Sequence, residues 1–79
     1  MKLTGNQRAI LRRLKLWGRA DFYPSSHFTS DLAYRTQPGP ILKRLAARGL
    51  VECNGYHSPG EGLCYRVTQA GIDALEAER

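Results

Sequence analysis

A small α+β domain, mainly helical with one β-hairpin, is what this 79-residue sequence predicts. Three observations predict it. LTGNQRAILRRLKLWGR, residues 3–19, repeats its apolar residues at helical spacing. ILKRLAARGLVECNG, residues 41–55, runs from a helix pattern through Gly49 straight into a strand pattern. LVECN and LCYRV alternate on either side of the turn-rich GYHSPGEG, which reads as a hairpin.

Seventy-nine residues make one domain, 1–79, with a modest core. Chains of this size bury only about 60% of their unfolded-state surface. The 42% hydrophobic fraction and the aromatics still favour a folded domain over a disordered tail. No apolar run approaches the roughly 18 residues that cross a bilayer, so no membrane partner is expected. Arginines interrupt the apolar residues after Met1, unlike a signal peptide. The expectation is a soluble, cytoplasmic protein without cofactor, nucleoid-associated if it binds DNA. No internal repeat or low-complexity segment is visible.

Charge is more informative when the chain is split. Residues 1–48 hold ten Lys and Arg against two acids, a balance of +8. Residues 49–79 hold two Arg against five acids, or −3, which leaves the net +5. A basic front followed by a mildly acidic tail suggests a polyanion-facing surface.

The first helix carries Thr4 and Gln7 at capping-box spacing. Leu3, Ile10, Leu14 and Trp17 then share one sector, flanked by Gln7 and Leu11. Arg8, Arg12, Lys15 and Arg19 form a stripe nearly opposite, and Gly18 is the expected stop. GRADFYPSSHF is a connector too apolar to hang free, expected as an extended segment that joins the small sheet. TSDLAYR predicts a short helix with Thr29 or Ser30 as cap and Leu32 and Ala33 inward. After the TQPGP turn, a helix is expected from Pro40 to about Arg48. Pro40 fits its first position, where a missing N–H costs nothing, and Gly49 fits a left-handed cap. Ile41, Leu42 and Leu45 should pack inward, leaving Pro40, Lys43, Arg44 and Ala47 outside.

In the hairpin, Val51 and Cys53 share one face, as do Leu63, Tyr65 and Val67. If both sets face the core, opposed residues have numbers of even sum. Cys53 and Cys64 then point to opposite faces and do not bond. Together with His57 they lack paired metal-ligand spacing, so both cysteines read as small half-buried hydrophobes and no metal is expected. TQAGIDALEAER closes the domain as a helix capped by Thr68, with Ile72 and Leu75 inward.

At TSDLA, ILKRLAARGLVE and YRVTQAG, in that order and spacing, the chain resembles the winged helix-turn-helix domains of small bacterial transcription regulators such as the MarR and PadR families. The resemblance covers nearly the whole chain. It implies a three-helix core plus wing and a short C-terminal helix, in a prokaryote or its virus. It also implies sequence-specific binding of double-stranded DNA and transcriptional regulation, with the helix at about 38–48 in the major groove. Matched to that pattern, Thr36, Gln37, Pro40 and Arg44 would contact bases, since Gln pairs with adenine and Arg with guanine or phosphate. Arg35, Lys43 and Arg48 would contact phosphates, joined by Arg8 and Arg12 if the first helix lies on the DNA side. A solvated face is the alternative for that stripe. The wing would span about 54–62, with Tyr56 and His57 as its contacts.

Three features depart from the family's pattern. The turn before the recognition helix is compressed around PGP. Residues 54–62 hold no Lys or Arg, and the closing helix is too short for long dimerisation arms. Recognition of two half-sites would need a homodimer. The same fold also serves as a protein-docking adaptor, here through the basic surface or the aromatic connector at 22–28. Catalysis has no comparable support. SSH at residues 25–27 lacks a third group, and no Gly-rich phosphate loop is present, so no enzyme is expected.

Overall fold

The computed structural model describes residues 3–32, 36–60 and 62–77, and the structural statements that follow concern these. Helix α1 spans Gly5–Trp17, and side chains set both its ends. Thr4 Oγ1 accepts from the Gln7 amide at 3.1 Å while Gln7 Oε1 accepts from the Thr4 amide at 3.0 Å. This is the capping box the sequence predicts. At the far end the Gly18 amide donates to the Leu14 carbonyl at 3.0 Å. Between these stops α1 buries Gln7, Ile10, Leu11 and Leu14. Trp17 is half-buried, its ring 4.8 Å from that of Tyr23 and 5.3 Å from that of Phe28.

The connector joins the sheet, as expected. Strand β1, Tyr23–Pro24, pairs antiparallel with the later strand β3, Gly62–Val67. The short helix is displaced, however. Instead of starting at Thr29 or Ser30, a 3-10 helix covers Ser25–Asp31. Phe28 is fully buried, and burying a phenylalanine is worth about 1.5–3 kcal/mol against about 1 kcal/mol for a cap. The anchor therefore outweighs the capping preference and the coil forms around it. Leu32 packs at the edge of the core; Ala33 lies outside the described residues.

Helix α2 spans Pro38–Ala47, so Pro38 rather than Pro40 holds the first position. Pro40 takes the third, which the helix tolerates because first-turn amides have no partner within it. Leu42 and Leu45 are fully buried, and Ile41 packs beside them. At the other end Gly49 adopts φ +76°; its amide donates to Ala46 and that of Leu50 to Leu45, both at 3.0 Å. This two-bond closure turns the chain directly into strand β2, Val51–Ser58.

The sheet is antiparallel throughout, in the order β1-β3-β2. Val51 opposes Val67 and Cys53 opposes Tyr65, the even-sum register predicted. Beyond Cys53 the predicted loop is largely strand, because β2 continues to Ser58 around a bulge. There Asn54, Gly55 and Tyr56 stand against Cys64 alone. Gly55 adopts φ +78°, and Asn54 Oδ1 accepts from the Tyr56 amide at 2.9 Å. A glycine and an asparagine side chain thus supply locally what a longer loop would. The cysteines are unbonded and on opposite faces, but not alike: Cys53 is exposed and Cys64 buried.

Helix α3, Gln69–Ala77, follows β3 with Thr68 as its cap. Thr68 Oγ1 accepts from the Gly71 amide at 3.1 Å and donates to the Gly49 carbonyl at 2.6 Å. A Cβ on Gly71 would overlap the Leu50 carbonyl oxygen and lie 2.9 Å from Val67 Cγ2, so α3 sits this close only because residue 71 has no side chain. The result is a compact α+β domain, a three-helix core with a small three-stranded antiparallel sheet. Its centre is Ile10, Leu14, Phe28, Leu42, Leu45 and Val67, all fully buried.

Candidate nucleic-acid interface

Burial of Leu42 and Leu45 leaves the opposite side of α2 to solvent. Pro40, Lys43, Arg44 and Ala47 are all exposed there, with Arg48 exposed at the cap. Gln37 is exposed just before the helix, and its side chain makes no capping bond. Thr36 is half-buried. Arg35 lies outside the described residues. The predicted contacts Gln37, Pro40, Lys43, Arg44 and Arg48 therefore belong to one exposed helix and its ends, which carry no acid in this stretch.

Beside this face runs an open groove of about 650 Å³. Gly39, Pro40 and Lys43 of α2 line one side, Gly62, Leu63 and Tyr65 of β3 the other, and Ser25 one end. Sequence reasoning missed Ser25, Gly39 and Gly62 here. They meet because the 3-10 helix begins next to the hairpin, close enough that a Cβ on Gly62 would overlap Ser25 Oγ. No local sequence signal marks that approach. Burial, with the Cys53 thiol opposite as a lesser cause, pushes the Tyr65 phenol above its ordinary value of 10.0.

The hairpin offers little free positive charge among its described residues. Tyr56 is 59% exposed on the bulge. The His57 backbone pairs with Leu63 in the ladder; its side chain lies outside the described structure. Arg66, the hairpin's own cation, is committed twice. It is ion-paired with Glu52 across the strands and lies over the Phe22 ring, 4.5 Å from its centroid.

The basic stripe that runs along α1 and past its end to Arg19 is likewise divided. Lys15 Nζ binds Glu76 at 2.8 Å and Arg19 donates to Gln69 Oε1 at 3.0 Å, so both are drawn to α3. Arg8 is half-buried and reaches the Leu3 carbonyl at 3.4 Å. Arg12 is exposed and, with Ala9, Arg13 and Leu16, lines a separate recess of about 280 Å³. No residue is common to the two recesses.

The chain matches no protein-family model, no curated protein and no solved structure.

Proposed function

We propose that this chain is a winged helix-turn-helix module that binds double-stranded DNA, with α2 entering the major groove, and regulates transcription. The observation that carries the reading is the exposed side of α2. Lys43, Arg44 and Arg48 stand on a helix whose other side is fixed in the core. An α-helix fits the major groove, and its early residues meet base edges. Gln37 and Pro40 occupy that position, with Arg44 one turn further on. Lys43 lines the groove between α2 and β3, and in this reading it contacts a phosphate rather than a base. The hairpin acts through Tyr56 and the backbone rather than through cations.

The test is a titration of a labelled random-sequence duplex across salt concentrations of about 50–200 mM. Each neutralised phosphate contributes about −0.9 to the slope of log K against log salt. The expected result is binding whose slope falls by about one in Lys43→Ala. No binding at the lowest salt, or a slope indifferent to Lys43, would overturn the reading.

A further inference from the structure

We propose that the outer face of α1 docks an acidic, amphipathic helical segment of a partner protein, with Leu16 as the apolar anchor of the contact. Leu16 is 74% exposed and, among the described residues, shares the status of exposed large hydrophobic only with Tyr56 on the distant hairpin bulge. It lies on the same side of α1 as Ala9 and Arg12, positions that helical geometry stacks in one line, with Arg13 along their edge. These four residues line the recess of about 280 Å³. The helix itself contains no acid. Arg13 lies over the Trp17 ring, 5.9 Å from its centroid, which limits the freedom it would lose on binding.

The combination decides the class of partner. Arginines alone suit any polyanion, but a phosphate backbone offers nothing apolar to a leucine standing among them. An acidic helix with apolar residues at spacings of three and four does: its carboxylates meet Arg12 and Arg13 while its apolar stripe covers Leu16 and Ala9. Arginine is also among the residues enriched at binding hot spots. A second copy of this chain fits less well. Two such faces would set arginines against arginines, and the Glu76 carboxylate of α3 is already held by Lys15. The proposal does not depend on α2 binding DNA.

The test uses the full chain and two synthetic peptides of equal composition. One is a helix of glutamates with leucines at i, i+3 and i+4, and the other has the same residues scrambled. By calorimetric titration the amphipathic peptide should bind and the scrambled one should bind about tenfold more weakly. Leu16→Ala should weaken the amphipathic peptide by about tenfold, and should leave the melting temperature unchanged because the side chain is exposed. Amide shifts in an NMR titration should centre on Ala9 to Leu16 rather than on α2. Equal binding of the two peptides would overturn the proposal, since charge alone would explain it. An unchanged affinity in Leu16→Ala would overturn it as well. So would a duplex whose binding Leu16→Ala weakens as much as that of the peptide, because the face would then serve nucleic acid.

Discussion

Helices α1 and α2 are built on one plan, apolar residues inward and cations outward, yet their cations meet different fates. On α1 Lys15 is paired with Glu76, and just beyond its end Arg19 donates to Gln69. On α2, Lys43 and Arg44 stand exposed, Lys43 lining a groove. The difference comes from the neighbour: α3 brings a carboxylate and an amide to Lys15 and Arg19, and among the described residues no ion pair engages Lys43 or Arg44. A basic stripe in a sequence is thus not one functional unit. The tertiary partner decides how much of it is left to recruit a ligand.

The largest expected effects test the half of the plan that the helices share. Leu14→Ala and Leu42→Ala each remove a fully buried side chain and should each cost about 2–5 kcal/mol by chemical denaturation. In a domain this small that approaches the whole stability. If either variant unfolds at the wild-type midpoint, the two inward faces are not equivalent. The next effect separates the helices. The Lys43→Ala/Arg44→Ala double variant should lose duplex affinity at least about tenfold, while Lys15→Ala/Arg19→Ala should stay within about twofold. Equal losses would mean that the α3 contacts do not withdraw α1 from DNA. Arg44→Ala alone should also relax preference at one base position, worth about 1–3 kcal/mol of discrimination in a competition assay.

Smaller still is the clasp itself. Lys15 and Glu76 are 42% and 48% exposed, so solvent screens their attraction and Glu76→Ala should cost no more than about 1 kcal/mol. A larger loss in a melting experiment would make α3 a structural brace rather than a charge sink. The last effect belongs to the groove beside α2 and to alkaline solution. Burial favours the neutral Tyr65 phenol, so the unfolded chain releases that proton first as pH rises past 10.0. Stability from this group is complete below that value and is lost as pH climbs towards the higher folded-state value. Tyr65→Phe should therefore flatten the alkaline limb of a stability–pH curve; an unaltered limb would place the ionisation elsewhere.

What was legible in the sequence followed local rules. The Thr4–Gln7 box, the Gly49 reversal, the Thr68 cap and the even-sum register of the hairpin each rest on residues close together or on the period-two pleat. Tertiary competition hid the rest. Thr29 and Ser30 look like caps until Phe28, buried against Trp17, draws the coil upstream. Pro40 looks like a first helical residue because nothing local shows that Pro38 already is one. At the site, the exposed side of α2 could be read from its periodicity. Its groove could not, since Ser25 meets Gly62 only through folding, and the withdrawal of Lys15 and Arg19 required knowing where α3 packs.

The junction at Leu50 shapes how the domain moves. The Leu50 carbonyl accepts from the Thr68 amide at 3.1 Å, and Gly71 rests against the same oxygen, while Thr68 Oγ1 fastens to Gly49. Both chain reversals that bracket the hairpin are riveted at one point, so the hairpin is a lever with a locked fulcrum. Its motion must be graded along its length. Amide hydrogen exchange at Thr68 and Gly71 should follow global opening, whereas Gly55 and Tyr56, out on the bulge, should exchange through local fluctuation.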